Sequence, residues 1–181
     1  YRARPDVAAV VHTHQMLAIA FGVARQPILP VLHAESELVR DEMPIYPSGE
    51  LIVTPQQGIE VAQALGQHRA AHLRFHGIVT AADSIEEAAI YAIWIERAAR
   101  ANLVARQLGA VEAMPPEQMD QVERFKGPPH ARWAYYREIA ERADLVSGPL
   151  VDVKEFPEGV DVCLGEGAVS SADDLERIRL V

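Results

Sequence analysis

Val7-Ala8-Ala9-Val10-Val11-His12-Thr13-His14 decides how this chain is read. Directly after Pro5-Asp6, Val7 to Val11 is a short apolar run rich in valine. That pattern suits a buried strand, although a run this short also suits a helix. On the strand reading, His12 and His14 stand two residues apart at its end. Alternate strand residues share a face, so the two imidazoles project together with Cα atoms roughly 6–7 Å apart, close enough to converge on one cation. His76, followed by Gly77, lies in a second strand candidate, Ala71–Thr80. A glycine there permits a turn or the close approach of a substrate. With the two strands as neighbours, three neutral imidazoles face one point and leave coordination positions open, the pattern of a catalytic metal site. Imidazole suits zinc, manganese, iron and cobalt alike. A His-x-His pair is also often incidental, so spacing alone leaves a metal site and an ordinary structural role both open. His68 and His72, at i and i+4, straddle the helix stop at Gly66 and read as solvated. His33 and His130 read as surface or core residues.

Outward from this stretch the chain alternates between strand and helix patterns. Gln15–Ala24 is helical in composition. Pro27–Leu32, interrupted by Pro30, reads as a short or edge strand. Residues 34–49 are polar and turn-rich, a loop long enough to suspect function. Thr54-Pro55-Gln56-Gln57 offers an N-cap hydroxyl, a proline at the first helical position and a capping-box glutamine, with Gly66 as the stop. Ala71–Thr80 reads as one strand with a glycine interruption. Ser84-Ile85-Glu86-Glu87 opens a second capped helix, whose Ile85, Ala88, Ala92, Ile95, Ala99 and Leu103 recur at helical spacing up to Gly109. Residues 131–143 form another helix pattern, carrying Trp133, Tyr135 and Tyr136. Beyond Gly148, Val-Asp-Val alternation at 151–153 and 160–162 suggests a strand-rich or loosely attached acidic appendage. The expected organisation is one domain over residues 1–146 and that appendage over 147–181.

The 181 residues, 49% hydrophobic and 24% charged, fit one globular domain and argue against extensive disorder. Seventeen Lys and Arg against 26 Asp and Glu leave a net charge of −9, which disfavours nucleic acid and anionic membranes as partners. No apolar run approaches the roughly 18–20 residues that span a bilayer, and residues 1–6 lack the pattern of a signal peptide. Cys163 is the single cysteine, which excludes an internal disulfide framework and a thiolate-rich metal site and points to a cytoplasmic setting.

The block from Tyr1 to His14 resembles the metal-binding strand of the class II aldolase/adducin family. That family includes fuculose-phosphate and rhamnulose-phosphate aldolases, ribulose-phosphate 4-epimerase and certain metal-dependent decarboxylases. Ala71-His72-Leu73-Arg74-Phe75-His76-Gly77-Ile78-Val79 resembles the family's strand with its His-Gly pair. Residues 83–88 and 95–100 resemble the long helix that follows, and residues 54–66 and 132–136 also fit one branch, so the likeness runs from residue 1 to 143. It implies a three-layer α/β/α sandwich around a mainly antiparallel sheet, assembled as a homotetramer with interface active sites. It also implies that His12, His14 and His76 hold a divalent metal, zinc before manganese, iron or cobalt. The implied reaction is cleavage of a carbon–carbon bond in a small hydroxy-carbonyl or hydroxy-aromatic carboxylate through a metal-stabilised enediolate.

Family members carry phosphate-binding loops and an acid/base glutamate upstream of the metal strand; this sequence begins after them, so the family domain is expected to lack its N-terminal portion. Sugar-phosphate aldolases also use a neighbouring subunit's tyrosine. By position that neighbourhood is Val31-Leu32-His33-Ala34, where Ala34 stands in its place. Within this chain His33 is the first choice for proton transfer, ahead of Glu35, Glu37 and Tyr46. Arg74 and Tyr135 are the choices for substrate binding, Arg74 because it falls two residues before His76 on one strand. The expectation is a metal-dependent aldolase or decarboxylase. The alternatives are a sugar-phosphate 4-epimerase and a non-catalytic adducin-like interaction module.

Overall fold

Two strands, β1 (Ala9–Thr13) and β4 (Gly77–Ala82), pair antiparallel at the heart of the structure, with His12 opposite Val79 and Thr13 opposite Ile78. The computed structural model describes residues 1–124, 129–142 and 162–164. β4 pairs antiparallel with β3 (Ala70–Leu73), which in turn pairs parallel with the two-residue β2 (Ile45–Tyr46). On the other side of β1 lies β5 (Val162–Leu164), parallel to it, giving the sheet order β2-β3-β4-β1-β5. The His130 side chain and the 151–153 alternation lie outside the described residues.

Alternation along the strands divides the core in two. Ala9, Val11, Ala70, Ile78 and Ala82 join one apolar cluster with α1 (Met16–Ala24) and α3 (Ile85–Leu108). Val7, Tyr46, Ala71, Leu73, Val79 and Ala81 join the other, under α2 (Pro55–Leu65). Every residue of β3 and β4 is buried, as expected of strands covered on both faces. The expected three-layer α/β/α sandwich is therefore present, with its central ladders antiparallel and its two outer pairings parallel.

The capping signals locate both predicted helices. Thr54 accepts from Gln57 N–H and the Gln57 side chain returns to the Thr54 backbone. Ser84 accepts from Glu87 N–H and opens α3, whose 24 residues end at Gly109. Two short helices close the chain's central part, α4 (Pro116–Arg124) and α5 (Pro129–Arg142).

Five expectations are corrected. Ala71–Thr80 is not one strand but a hairpin: β3 ends at Leu73, Phe75 adopts φ 65°, and β4 starts at Gly77. A left-handed phenylalanine carries no sequence signal, because glycine and asparagine are the usual occupants. Pro27–Leu32 is not a strand. The two prolines remove ladder donors, and the Asn102 side chain takes the place of a partner strand, accepting from Leu29 N–H at 2.9 Å and donating to Leu29 C=O at 2.8 Å. Residues 34–49 are not all loop, since Glu35–Val39 forms a 3₁₀ helix and Ile45–Tyr46 joins the sheet. His72 is not solvated: it sits on β3 at 3% exposure, packed against Gly22 of α1, where a Cβ would come within 2.9 Å of its Nδ1. The stripe on α3 is also displaced at its end, with Asn102 fully buried and Leu103 39% exposed.

Asn102→Ala strands a backbone N–H and C=O, and is expected to lower stability by about 2–4 kcal/mol in urea unfolding. Burial holds the His72 pKa down to about 4 from 6.5. The unfolded chain takes up that proton below pH 6.5 while the folded chain resists it until about pH 4, so stability is complete above this window and falls through it, by about 3 kcal/mol from this group. Urea midpoints measured between pH 7 and 4 check this, and His72→Asn flattens the slope.

Candidate metal centre and adjoining cleft

The β1–β4 register delivers the histidines. His12 ends the buried part of β1, and continuing the ladder one step sets His14 across from Gly77. His76 sits in the β3–β4 turn, where its N–H donates to Leu73 C=O at 2.9 Å. The three rings gather with centroids 4.7, 4.7 and 4.9 Å apart, and one ring nitrogen of each lies within 4.8 Å of the other two. Gly77 makes the room. A Cβ at this position would collide with the Thr13 carbonyl, and would stand 2.8 Å from His12 Cε1 and 3.0 Å from His14 Cδ2.

Protonation follows from the partners. His12 Nδ1 lies 2.8 Å from the Ile78 carbonyl, which only accepts, so the ring proton is on Nδ1 and Nε2 presents a lone pair. That Nε2 faces His14 Nε2 at 2.9 Å. Burial, reinforced by the neighbouring His76 and His14 and opposed by the Ile78 bond, depresses the His12 pKa to about 4. Burial and His14 lower that of His76 as well, and its Nδ1 is buried with no hydrogen-bond partner among the described residues. The His12 lone pair on Nε2 and the orphaned His76 nitrogen suit a divalent cation, and with His14 the three-nitrogen set leaves it open positions.

Glu96 of α3, missed in the sequence, secures the exit from this strand. Its two carboxylate oxygens accept from Leu17 and Ala18 N–H at 3.2 and 2.9 Å, capping α1 where Gln15 supplies no side-chain cap. A glutamate 78 residues from its partner lies beyond any local capping motif.

His33 and Tyr135 are brought together, but in a different place. They line a cleft of about 570 Å³ with Glu35, Trp94, Arg97, Arg132 and Tyr136, and none of the three clustered histidines lines it. Glu35, a proton-transfer candidate placed in a loop, is buried and paired with Arg97 at 2.7 Å. Tyr46 is buried in the sheet and donates to Glu60 at 3.2 Å. Arg74 does not alternate onto a strand face with His76, because the turn intervenes; its guanidinium lies over the Phe75 ring at 4.4 Å, and its Nε is buried without a partner among the described residues.

Residues 1–103 match the model of the class II aldolase and adducin N-terminal domain. The chain belongs to the class II aldolase and adducin family. It is 32% identical over 144 residues to 3,4-dihydroxyphthalate decarboxylase of Arthrobacter keyseri, covering 77% of this chain and 58% of that protein. It is 27% identical over 143 residues to the decarboxylase NovR of Streptomyces niveus, covering 79% and 53%. This family chain thus spans little more than half the length of those relatives. Among solved structures, an L-fuculose 1-phosphate aldolase superposes with a TM-score of 0.57 at 26% identity, covering 70% of this chain and 59% of that one. An aldolase II superfamily protein from Pseudomonas syringae shares the fold with a TM-score of 0.63 at 24% identity, covering 78% and 59%. Among the described residues no helix is long and apolar enough to cross a membrane.

Gly77→Ala is expected to displace the imidazoles and weaken divalent-cation binding by about tenfold or more, measured by calorimetric titration of the metal-free protein, while secondary structure by circular dichroism is retained.

Proposed function

We propose that this chain is the metal-binding part of a divalent-metal-dependent carbon–carbon lyase that decarboxylates a hydroxylated aromatic acid. The convergence of His12, His14 and His76 carries this reading. Those residues would hold the metal, zinc before manganese, iron or cobalt, by their ring nitrogens. When bound, such an ion supplies Lewis-acid stabilisation to negative charge developing on adjacent substrate oxygens.

The chain's own groups set the stage. The Ile78 carbonyl fixes the His12 tautomer, and Gly77 admits the three rings side by side. Glu96 holds the backbone that leaves His14. Arg74, in the same turn as His76, carries a partnerless guanidinium nitrogen and is assigned the substrate carboxylate. In the reaction the bond between ring carbon and carboxyl carbon breaks, its electron pair stays on the ring, carbon dioxide departs, and a proton ends on the ring carbon.

Two features favour decarboxylation over aldol cleavage or 4-epimerisation of a sugar phosphate. Relatives of this chain are decarboxylases of aromatic acids by name, and the family resemblance implies Ala34 at the position where sugar-phosphate aldolases use a tyrosine. Gamma-adducin of Rattus norvegicus is 27% identical over 106 residues, yet an intact histidine set favours an enzyme over an interaction module. A homotetramer acting on a small molecule in the cytoplasm completes the proposal.

The protein is expected to retain close to one divalent ion per chain in elemental analysis, and His12→Ala to retain almost none. Incubation with a panel of dihydroxyarene carboxylates is expected to release carbon dioxide, a release abolished by chelation and by His12→Ala. Unchanged metal content in His12→Ala overturns the ligand assignment. Cleavage of hydroxy-carbonyl compounds without carbon dioxide overturns the decarboxylase reading.

A further inference from the structure

The cleft beside α3 and α5 has its own chemistry, independent of the histidine cluster, with which it shares no lining residue. Its volume of about 570 Å³ falls within the range of small-molecule sites. Its walls are aromatic. Trp94 is 4% exposed and donates its indole N–H to the Tyr136 hydroxyl at 3.1 Å, which fixes both rings. Tyr135, 59% exposed, meets Tyr136 edge-on with ring centroids 5.3 Å apart.

Its charge faces outward. Arg97 donates from Nε to Glu35 at 2.7 Å, and the side chains are 56% and 6% exposed respectively. The carboxylate is therefore underneath and the cation on the surface. Nε carries the anchor, and among the described residues neither terminal nitrogen of the guanidinium has a hydrogen-bond partner, so both can donate to a ligand while a buried carboxylate holds the group in place. Arg132 adds a second cation, stacked over Trp94 at 5.1 Å and 3.7 Å from Glu87, outside hydrogen-bond range. The exposed His33 completes the rim. The cleft thus sets two guanidiniums, each beside a glutamate carboxylate, against aromatic surfaces.

We propose that the cleft binds an arene carboxylate, with Arg97 and His33 taking the carboxylate and Tyr135 and Tyr136 flanking the ring. A planar carboxylate matches the guanidinium fork, and a flat ring gains from offset or edge-on contact with the aromatic side chains. A compact tetrahedral anion would leave that apolar surface unused, and the acidic chain repels a polyanion. The assignment goes beyond the metal-centred reaction and does not depend on it.

Benzoate is the probe, titrated into the full chain by calorimetry and by intrinsic tryptophan fluorescence. The expected result is saturable binding that weakens about tenfold or more with benzamide, which removes the charge, and also with cyclohexanecarboxylate, which removes the flat ring. Arg97→Ala is expected to weaken benzoate by a similar factor. Should that variant misfold because Glu35 is left unpaired, Arg97→Ala combined with Glu35→Gln replaces it. Tyr135→Ala removes an exposed ring and is expected to reduce benzoate affinity while sparing the fold. His12→Ala is expected to bind benzoate as the parent does, even with its metal lost, so failure of this proposal and failure of the metal reading are separable. Three results overturn the proposal: no saturable binding, equal affinity for benzoate and benzamide, or benzoate binding lost in His12→Ala but intact in the Arg97 and Tyr135 variants.

Discussion

The register of β1 against β4 is the constraint on which the site rests. With Val79 opposite His12, the Ile78 carbonyl reaches His12 Nδ1 and Gly77 falls beside both histidines of the His-x-His pair. Side chains alternate along a strand, so a slip of one residue would turn His12 and His14 towards the α1 and α3 layer and set Val11 and Thr13 in their place. The two apolar clusters prevent that slip, because each accepts only its own half of the alternating residues. Packing of the sheet and assembly of the donor set are one event.

α3 organises most of what surrounds this ladder. Its apolar side lies on β1 and β4, and three polar residues reach out to different segments. Glu96 caps α1, Arg97 pairs with Glu35, and Asn102 holds the Pro27–Leu32 strap through both of Leu29's backbone groups. Each contact satisfies groups that would otherwise be buried without partners, so the helix specifies the path of loops that no sheet or helix ladder controls.

These contacts also mark where the sequence was legible and where it was not. The β1 histidines could be read because strand alternation and a His-x-His spacing are local facts. The likeness of residues 1–14 and 71–79 to family blocks then joined His76 to them across the chain. The helices at Pro55 and Ile85 were legible because capping residues sit within three positions of the groups they cap. What failed to show was non-local or conformational. Nothing in Leu73-Arg74-Phe75-His76 announces a turn, since Phe75 is an unusual occupant of positive φ, and the misread turn carried with it the expected alignment of Arg74 with His76. Glu35 and Glu96 look like solvated charges until their partners, 62 and 78 residues away, are known. His72 reads as solvated although it falls within the Ala71–Thr80 strand pattern, because nothing local announces that Gly22 of α1 packs against it.

Glu96 and Arg97 are neighbours in sequence, yet one grips the segment leaving the histidine cluster and the other grips the loop beneath the aromatic cleft. Both grips hang on a single rigid strut. A slide of α3 along its axis by one residue's rise, about 1.5 Å, would loosen the two compartments together. Neither can drift mechanically while the other keeps its shape.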